Sequence, residues 1–364
     1  MDTPSDVSAL DRLLTTGRID AHSIVAVVGK TEGTGLGKDT ARETVDRSVR
    51  ARLAPELACT PDEVGDRLCM ILSGGSPGVI TPHIAIFSQR LVDADAPLPG
   101  GGRLCFGRAV SDDILPEEIG RMAHVRKVSR AVRAALDGAG VEAAEDAHAV
   151  LVKGPALTQV AIDDARRRGA EPVTLDLSVG PHGAMCYSND ASALGVAVAT
   201  GEVPLDSLHD GVIRQDFTFY SDVAITSSAS EKTHADVVVV ANRRDGLGDL
   251  RVGHSSMTDV LDIGAVGRAV RSAGLPVQTV VDPDLRGRIV YVMAKMIIPG
   301  SDRIAGQRIT LHDDAVGYHV AKAMGGYLVA STTGHTAAFV SGGERNSHQG
   351  PPDGNPLAAI VRVT

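Results

Sequence analysis

The chain has 364 residues, a formal net charge of −9, 43% hydrophobic and 22% charged residues. That is the composition of a soluble globular protein, long enough for two or three domains with ample core. The acidic balance, an aromatic content of 3% and the lack of Trp argue against a nucleic-acid surface, which needs a basic stripe and stacking rings.

In chain order, helical spacing at 7–17 leads to an apolar strand at 23–28, a Gly-rich loop at 31–39 and a helix at 40–53. Strands follow at 69–72 and 84–87, and then a Pro/Gly-rich linker at 93–102. A strand at 104–110 precedes a long helix predicted over 116–136, where Pro116, Glu117 and Glu118 read as a start signal. Next come a helix at 158–168, a strand at 173–177, a helix at 190–199, and strands at 222–226 and 236–240. The segment 242–253 reads as a second linker. The last third holds helices at 258–273 and 314–328 and strands at 289–293, 337–340 and 357–363.

One signal occurs three times in this pattern: an apolar strand ending in Lys, a helix, and an apolar strand ending in Ser. The lysines are Lys30, Lys153 and Lys295, and the serines are Ser73, Ser227 and Ser341. Recurrence of a whole supersecondary unit predicts three similar α/β units, at 1–102, 103–248 and 249–364, each with about four strands and two helices. Three Lys and three Ser at strand ends, facing one axis, are the layout of an active site.

Other chemistries fit less well. The loop after Lys30 is not a Walker A motif: Glu32 stands where the first Gly is needed and Asp39 where a hydroxyl is needed. Its glycines at 33, 35 and 37 do not make a dinucleotide fingerprint either. The twelve histidines show no zinc spacing, and His83 and His234, each before an apolar strand, read as structural. Cys59, Cys69, Cys105 and Cys186 form no C-x-x-C pair and read as reduced thiols. The amino terminus lacks a secretory pattern and no apolar run spans a membrane, so a cytoplasmic protein is expected.

Ser–Lys chemistry fits the repeats. A serine hydroxyl needs a base to take its proton, and a lysine serves when burial or like charges depress its pKa. The residues after each Ser (Gly74, Ser228, Gly342) offer backbone N–H groups to a carbonyl oxygen. Against this stands the plainer reading, in which each Lys snorkels from a strand end and each Ser begins a turn.

On Gly29-Lys30-Thr31-Glu32-Gly33, Ser73-Gly74-Gly75 with Pro82-His83, Ala191-Ser192-Ala193-Leu194-Gly195, and Ser341-Gly342-Gly343 with His348-Gln349-Gly350-Pro351-Pro352, nearly the whole chain resembles the cyanuric acid hydrolase/barbiturase family. The resemblance implies three α/β units about a pseudo-threefold axis, a flat ring bound at that axis, no cofactor for the chemistry, and a homotetramer. It makes Ser227 the nucleophile and Lys153 its base, with the choice between Ser227 and Ser228 open. It places Lys30, Ser73, Gly74, Ser228, Lys295, Ser341 and Gly342 around the substrate. Of its three ring-supporting arginines only Arg42 is matched; Asn189 and His319 stand at the other two positions. That departure points to a less symmetric cyclic imide than cyanuric acid. The resemblance also implies a structural metal near His348–Pro352, yet Met296, Ile297 and Ile298 stand where an acidic ligand is expected. The alternative function is a non-catalytic heterocycle-binding protein of the same fold.

Overall fold

The computed structural model describes residues 1–33, 40–90, 102–178, 180–278, 281–311 and 317–363. Most of the Gly-rich loop, all but the last residue of the first linker, and the predicted helix start at 314 lie outside the described residues. The strands are β1 Ile24–Lys30, β2 Cys69–Ser73, β3 His83–Ser88, β4 Arg103–Val110, β5 Ala147–Pro155, β6 Ala224–Ala229, β7 Asp236–Arg243, β8 Leu250–Met257, β9 Ile289–Ile297, a small hairpin β10 Arg303–Ile304 and β11 Gln307–Arg308, β12 Phe339–Gly343 and β13 Asn355–Arg362. The helices are α1 Ser8–Thr15, α2 Ala41–Leu53, α3 Val64–Arg67, α4 Met122–Ala139, α5 Gln159–Arg167, α6 Ala184–Thr200, α7 Gly264–Ser272, α8 Pro283–Arg286 and α9 Gly317–Thr333.

Three main sheets form, in the orders β2-β1-β3, β6-β5-β7-β4 and β12-β9-β13-β8. In each, the strand that carries the Lys pairs in parallel with the strand that carries the Ser, and antiparallel with the strand that follows; β1 and β2 end on these residues as expected, whereas β5, β6, β9 and β12 run two residues past them. A parallel pair needs a crossover, and α2, α6 and α9 lie in those crossovers. The register is the same every time: Lys30 opposite Ser73, Lys153 opposite Ser227, Lys295 opposite Ser341.

Strand alternation decides which way these residues point. Val28, Leu151 and Met293 lie in one core shared by all three sheets, together with Ile71, Ile225 and Phe339. Their neighbours Val27, Val152 and Ala294 belong instead to separate cores beneath the helices of each unit. Side chains two apart share a face. Each Lys and each Ser follows a shared-core residue by two positions, so all six face inward. This parity selects Ser227 for the inner face and turns Ser228 outward.

The units also contact one another in cyclic order. Arg42 of α2 reaches Glu231, beyond the Ser strand of the second unit, at 2.9 Å. Asp190 of α6 accepts from the backbone of His348, beyond the Ser strand of the third, at 3.3 Å. Lys322 of α9 reaches the carbonyl of Gly74, beyond the Ser strand of the first, at 3.2 Å. One-to-two, two-to-three and three-to-one contacts are what a pseudo-threefold arrangement requires.

Several expectations are corrected. The helix predicted from 116 begins at Met122, because Gly120 has φ +76° and Glu118 turns its carboxylate back to the N–H of Leu115. No strand forms at 173–177: Thr174 and Asp176 each accept from a backbone N–H two residues on, and such local bonds compete with pairing. The supposed linker 242–253 contains the start of β8. Its polar look hides a strand in which a Cβ on Gly253 would lie 2.5 Å from the carbonyl oxygen of Ala269 in α7. Helix α7 begins at Gly264 rather than 258, since Asp262 accepts from the N–H of Thr258. Helix α6 begins at Ala184 rather than 190. The first sheet has three strands among the described residues, not four.

Rings mark the seams between sheets. Phe87 stacks on Phe106 at 4.6 Å, and His83 meets Tyr291 edge-on with Nε2 2.7 Å from the phenol oxygen. Between β5 and β8, His148 and His254 share one hydrogen bond, Nδ1 to Nδ1, at 2.8 Å. One nitrogen donates and the other accepts, so the accepting ring is neutral. Burial first, then His254 and Arg251, pull His148 down to about 4. The unfolded chain therefore binds more protons than the native one between about pH 6.5 and 4, and stability is complete above that window and falls within it. We expect the melting temperature to drop from pH 7 to 4.5, with His148→Gln flattening the slope; equal slopes would contradict the assignment.

Candidate active site

Four lysines are buried where the inner strand ends meet. Lys30 and Lys295 have no exposed surface, and Lys322 and Lys153 expose 2% and 4%. An ammonium out of water is costly, so such groups shift toward the neutral form. Burial is the leading cause at each. Lys153 falls to about 7, helped by the Arg42 guanidinium and opposed by Glu231. Lys295 also falls to about 7, with Asp190 opposing and Lys322 adding to the shift. Lys322 falls to about 8. Lys30 goes well below its ordinary value, pressed further by Lys322, Lys153 and Lys295.

Each amine meets the end of a Ser strand. Lys30 Nζ donates to Ser73 Oγ at 3.0 Å and to the carbonyl of Gly74 at 3.3 Å. Lys153 Nζ donates to the carbonyl of Ser228 at 3.1 Å, the counterpart of the Gly74 contact. Lys295 Nζ crosses to the carbonyl of Thr226 at 2.7 Å. Ser73 and Ser341 are buried, while Ser227 is half-buried and the most accessible of the three. Gly342 has a local purpose: a Cβ there would lie 2.7 Å from Lys322 Cγ, so only Gly lets the lysine stem pass.

The three positions expected to support a ring are unlike one another. Arg42 is tied to Glu231 through one nitrogen, and its Nε is buried without a partner among the described residues. Asn189 is buried and its backbone carbonyl accepts from Thr226 Oγ at 2.7 Å, but its side-chain Oδ1 has no partner among the described residues. Ser228 Oγ is likewise buried and unpaired. His319 is half-buried with Nε2 2.8 Å from the Tyr318 hydroxyl. Three residues on, Lys322 reaches the centre instead. Sequence reading missed it, although it is the one Lys, Arg, Asp or Glu in α9.

The His348–Pro352 loop does not suit a cation. The backbone N–H of Arg214 donates to His348 Nε2, so Nδ1 carries the ring proton and donates to the carbonyl of Phe219 at 2.5 Å. Both side-chain ends of Gln349 are engaged, and the carbonyls of Arg345 and Asn346 accept from the Arg214 guanidinium. Among the described residues no three His, Cys, Asp or Glu side chains are grouped to hold a metal. No helix among them is long and apolar enough to cross a membrane.

Known proteins match this chain in sequence and fold along its whole length. A cyclic amide hydrolase of Pseudofrankia inefficax is 47% identical over 363 residues, covering 100% of this chain and 93% of its own length. Barbiturase 2 of a Nocardioides species is 39% identical, covering 98% of this chain and 95% of its own. A solved cyanuric acid hydrolase superposes with a TM-score of 0.91 at 38% identity, over 100% of this chain and 97% of that one. The amidohydrolase ring-opening protein family matches residues 1–362. With its Lys–Ser register repeated in three sheets and this match along its length, the chain belongs to the ring-opening amidohydrolases.

Proposed function

We propose that the protein opens a cyclic amide or imide ring of the cyanuric acid or barbiturate type, with Ser227 as nucleophile and Lys153 as base. The observation that carries this is the inward Lys153–Ser227 register joined to an amine held at about 7. Relatives that act as hydrolases of cyclic amides support it.

The first half-reaction begins with neutral Lys153. Its amine moves from the Ser228 carbonyl to the Ser227 hydroxyl and takes the proton as the oxygen adds to a ring carbonyl. Unit one illustrates the reach, since Lys30 touches both the hydroxyl and the next carbonyl at once. The tetrahedral oxygen is held by backbone N–H at the Ser strand end and by the remaining amines. Collapse breaks the ring C–N bond, and Lys153 returns the proton to the departing nitrogen. Water then attacks the acyl-Ser227 ester with Lys153 again as base, releasing a carboxylate and restoring the hydroxyl.

A second reading has one observation in its favour: of the three Lys–Ser pairs among the described residues, Lys30–Ser73 alone shows a direct amine-to-hydroxyl bond. The exposure of Ser227 favours it over buried Ser73, whose hydroxyl already serves Lys30. We assign the unit-one and unit-three pairs to holding ring carbonyls.

The supporting positions differ in chemistry: Arg42, Asn189 and, in place of His319, Lys322. Unpaired Asn189 Oδ1 calls for a ring N–H on that side. The preferred ring is therefore less symmetric than one with three equivalent carbonyls.

On a panel of cyanuric acid, barbiturate and unsymmetrical cyclic imides, Ser227→Ala and Lys153→Ala should each lower kcat on the order of 10³-fold or more. Ser73→Ala should act chiefly on KM; the reverse ranking would favour the second reading. Activity should fall below about pH 7 as Lys153 gains its proton; a flat profile down to pH 5 would exclude Lys153 as base. Asn189→Arg should move preference toward the symmetric ring, and unchanged preference and KM would remove Asn189 from the ring edge.

A further inference from the structure

The loop at 344–350 of the third unit is locked into the second by one buried cation. Arg214, in the stretch after α6, has a left-handed backbone with φ +66°. A non-glycine residue adopts that conformation only where surrounding contacts hold it. Its side chain is 7% exposed and that of its partner Asp190 is 2% exposed. Nη1 donates to Asp190 Oδ2 at 2.7 Å and to the carbonyl of Asn346 at 2.5 Å. Nη2 donates to the carbonyls of Pro181 at 2.7 Å and Arg345 at 3.0 Å.

From there a chain of hydrogen bonds runs to the strand end that bears Ser227. The other oxygen of Asp190 accepts from the Ser347 hydroxyl and the His348 N–H. Gln349 Nε2 donates to Ser347 Oγ at 3.0 Å, and Gln349 Oε1 accepts from the N–H of Thr226 at 2.7 Å. Thr226 is completely buried; its hydroxyl donates to the carbonyl of Asn189 and its own carbonyl accepts from Lys295. The circuit starts at Asp190, returns to Asn189, and fixes the peptide just before Ser227.

We infer that Arg214 is a positioning residue for ring opening, acting through Asp190, Ser347, Gln349 and Thr226 on Ser227 and Lys295. The inference rests on the reading of Ser227 as nucleophile. A planar guanidinium suits the place, because its fixed fan of N–H groups meets a carboxylate and three carbonyls at once, which a point-like ammonium cannot. Loss of that fan loosens the loop and lets the Ser227 strand end drift.

The test compares Arg214→Ala and Arg214→Lys with wild type in the full chain, on whichever panel ring the wild type opens. Arg214→Ala should lose about 100-fold in kcat, the scale of a misplacement of about 1 Å, with KM little changed. Millimolar guanidinium should restore part of that loss in Arg214→Ala, while equal ammonium should not. Arg214→Lys should stay impaired although its charge is kept. Wild-type kcat in folded Arg214→Ala, or equal rescue by ammonium, would overturn the inference. Should Arg214→Ala fail to fold, Gln349→Met cuts the link to Thr226 and leaves the ion pair intact. It should lower kcat at nearly unchanged melting temperature, and an unchanged kcat would overturn the proposal. Ser227→Ala separates the two ideas: full activity there removes the nucleophile, whereas an inactive Ser227→Ala beside a fully active Arg214→Ala removes only the positioning role.

Discussion

Four lysine amines packed into one buried centre are the constraint around which this structure is arranged. Each buried ammonium carries a desolvation penalty that nearby like charges enlarge. The fold answers with carbonyl oxygens at the ends of Ser strands, from Gly74, Thr226 and Ser228, each aimed at an amine. What those contacts leave uncompensated drives the pKa values down toward neutrality. Amines shifted toward neutrality are thus a consequence of where the strands end and not of any single neighbour.

The layout follows from apolar patterning. The shared core beneath the axis is built from small and branched residues, with Phe87, Phe106, Tyr291 and Phe339 closing the wider gaps between sheets. Strand alternation then carries the inward direction from that core up to the six Lys and Ser positions. Lysine and serine repeat because the scaffold repeats. The helix positions above them do not: Arg42, Asn189 and Lys322 differ in charge and donor pattern, as expected if a common framework holds a substrate with unlike edges.

The repeated Lys–helix–Ser signal was legible in sequence because it combines local strand pattern with fixed strand-end residues. The three-unit fold could be read from it, while the register that sets each Lys opposite its Ser came only with the structure. Helix starts were less legible. At 116–121 the Pro-Glu-Glu signal is present, but Gly120 and the carboxylate of Glu118 build turns there. The strand β8 was hidden by Arg251, Gly253 and His254, whose places are set by packing against α7 and β5. Lys322 could have been noticed as the lone fixed charge in an apolar helix. Arg214 could not, since its partners lie 24 residues upstream and more than 130 downstream and meet only in the folded chain.

The central claim is that one serine at the axis forms a covalent bond with the opened ring. Rapid quenching of the enzyme during turnover, followed by intact mass measurement and peptide mapping, reads that bond directly. The account predicts an adduct of ring mass on the peptide containing Ser227, absent in Ser227→Ala. An adduct on Ser73 would move the chemistry to the first unit, and turnover with no adduct on any serine at the shortest quench times would contradict an acyl-enzyme route.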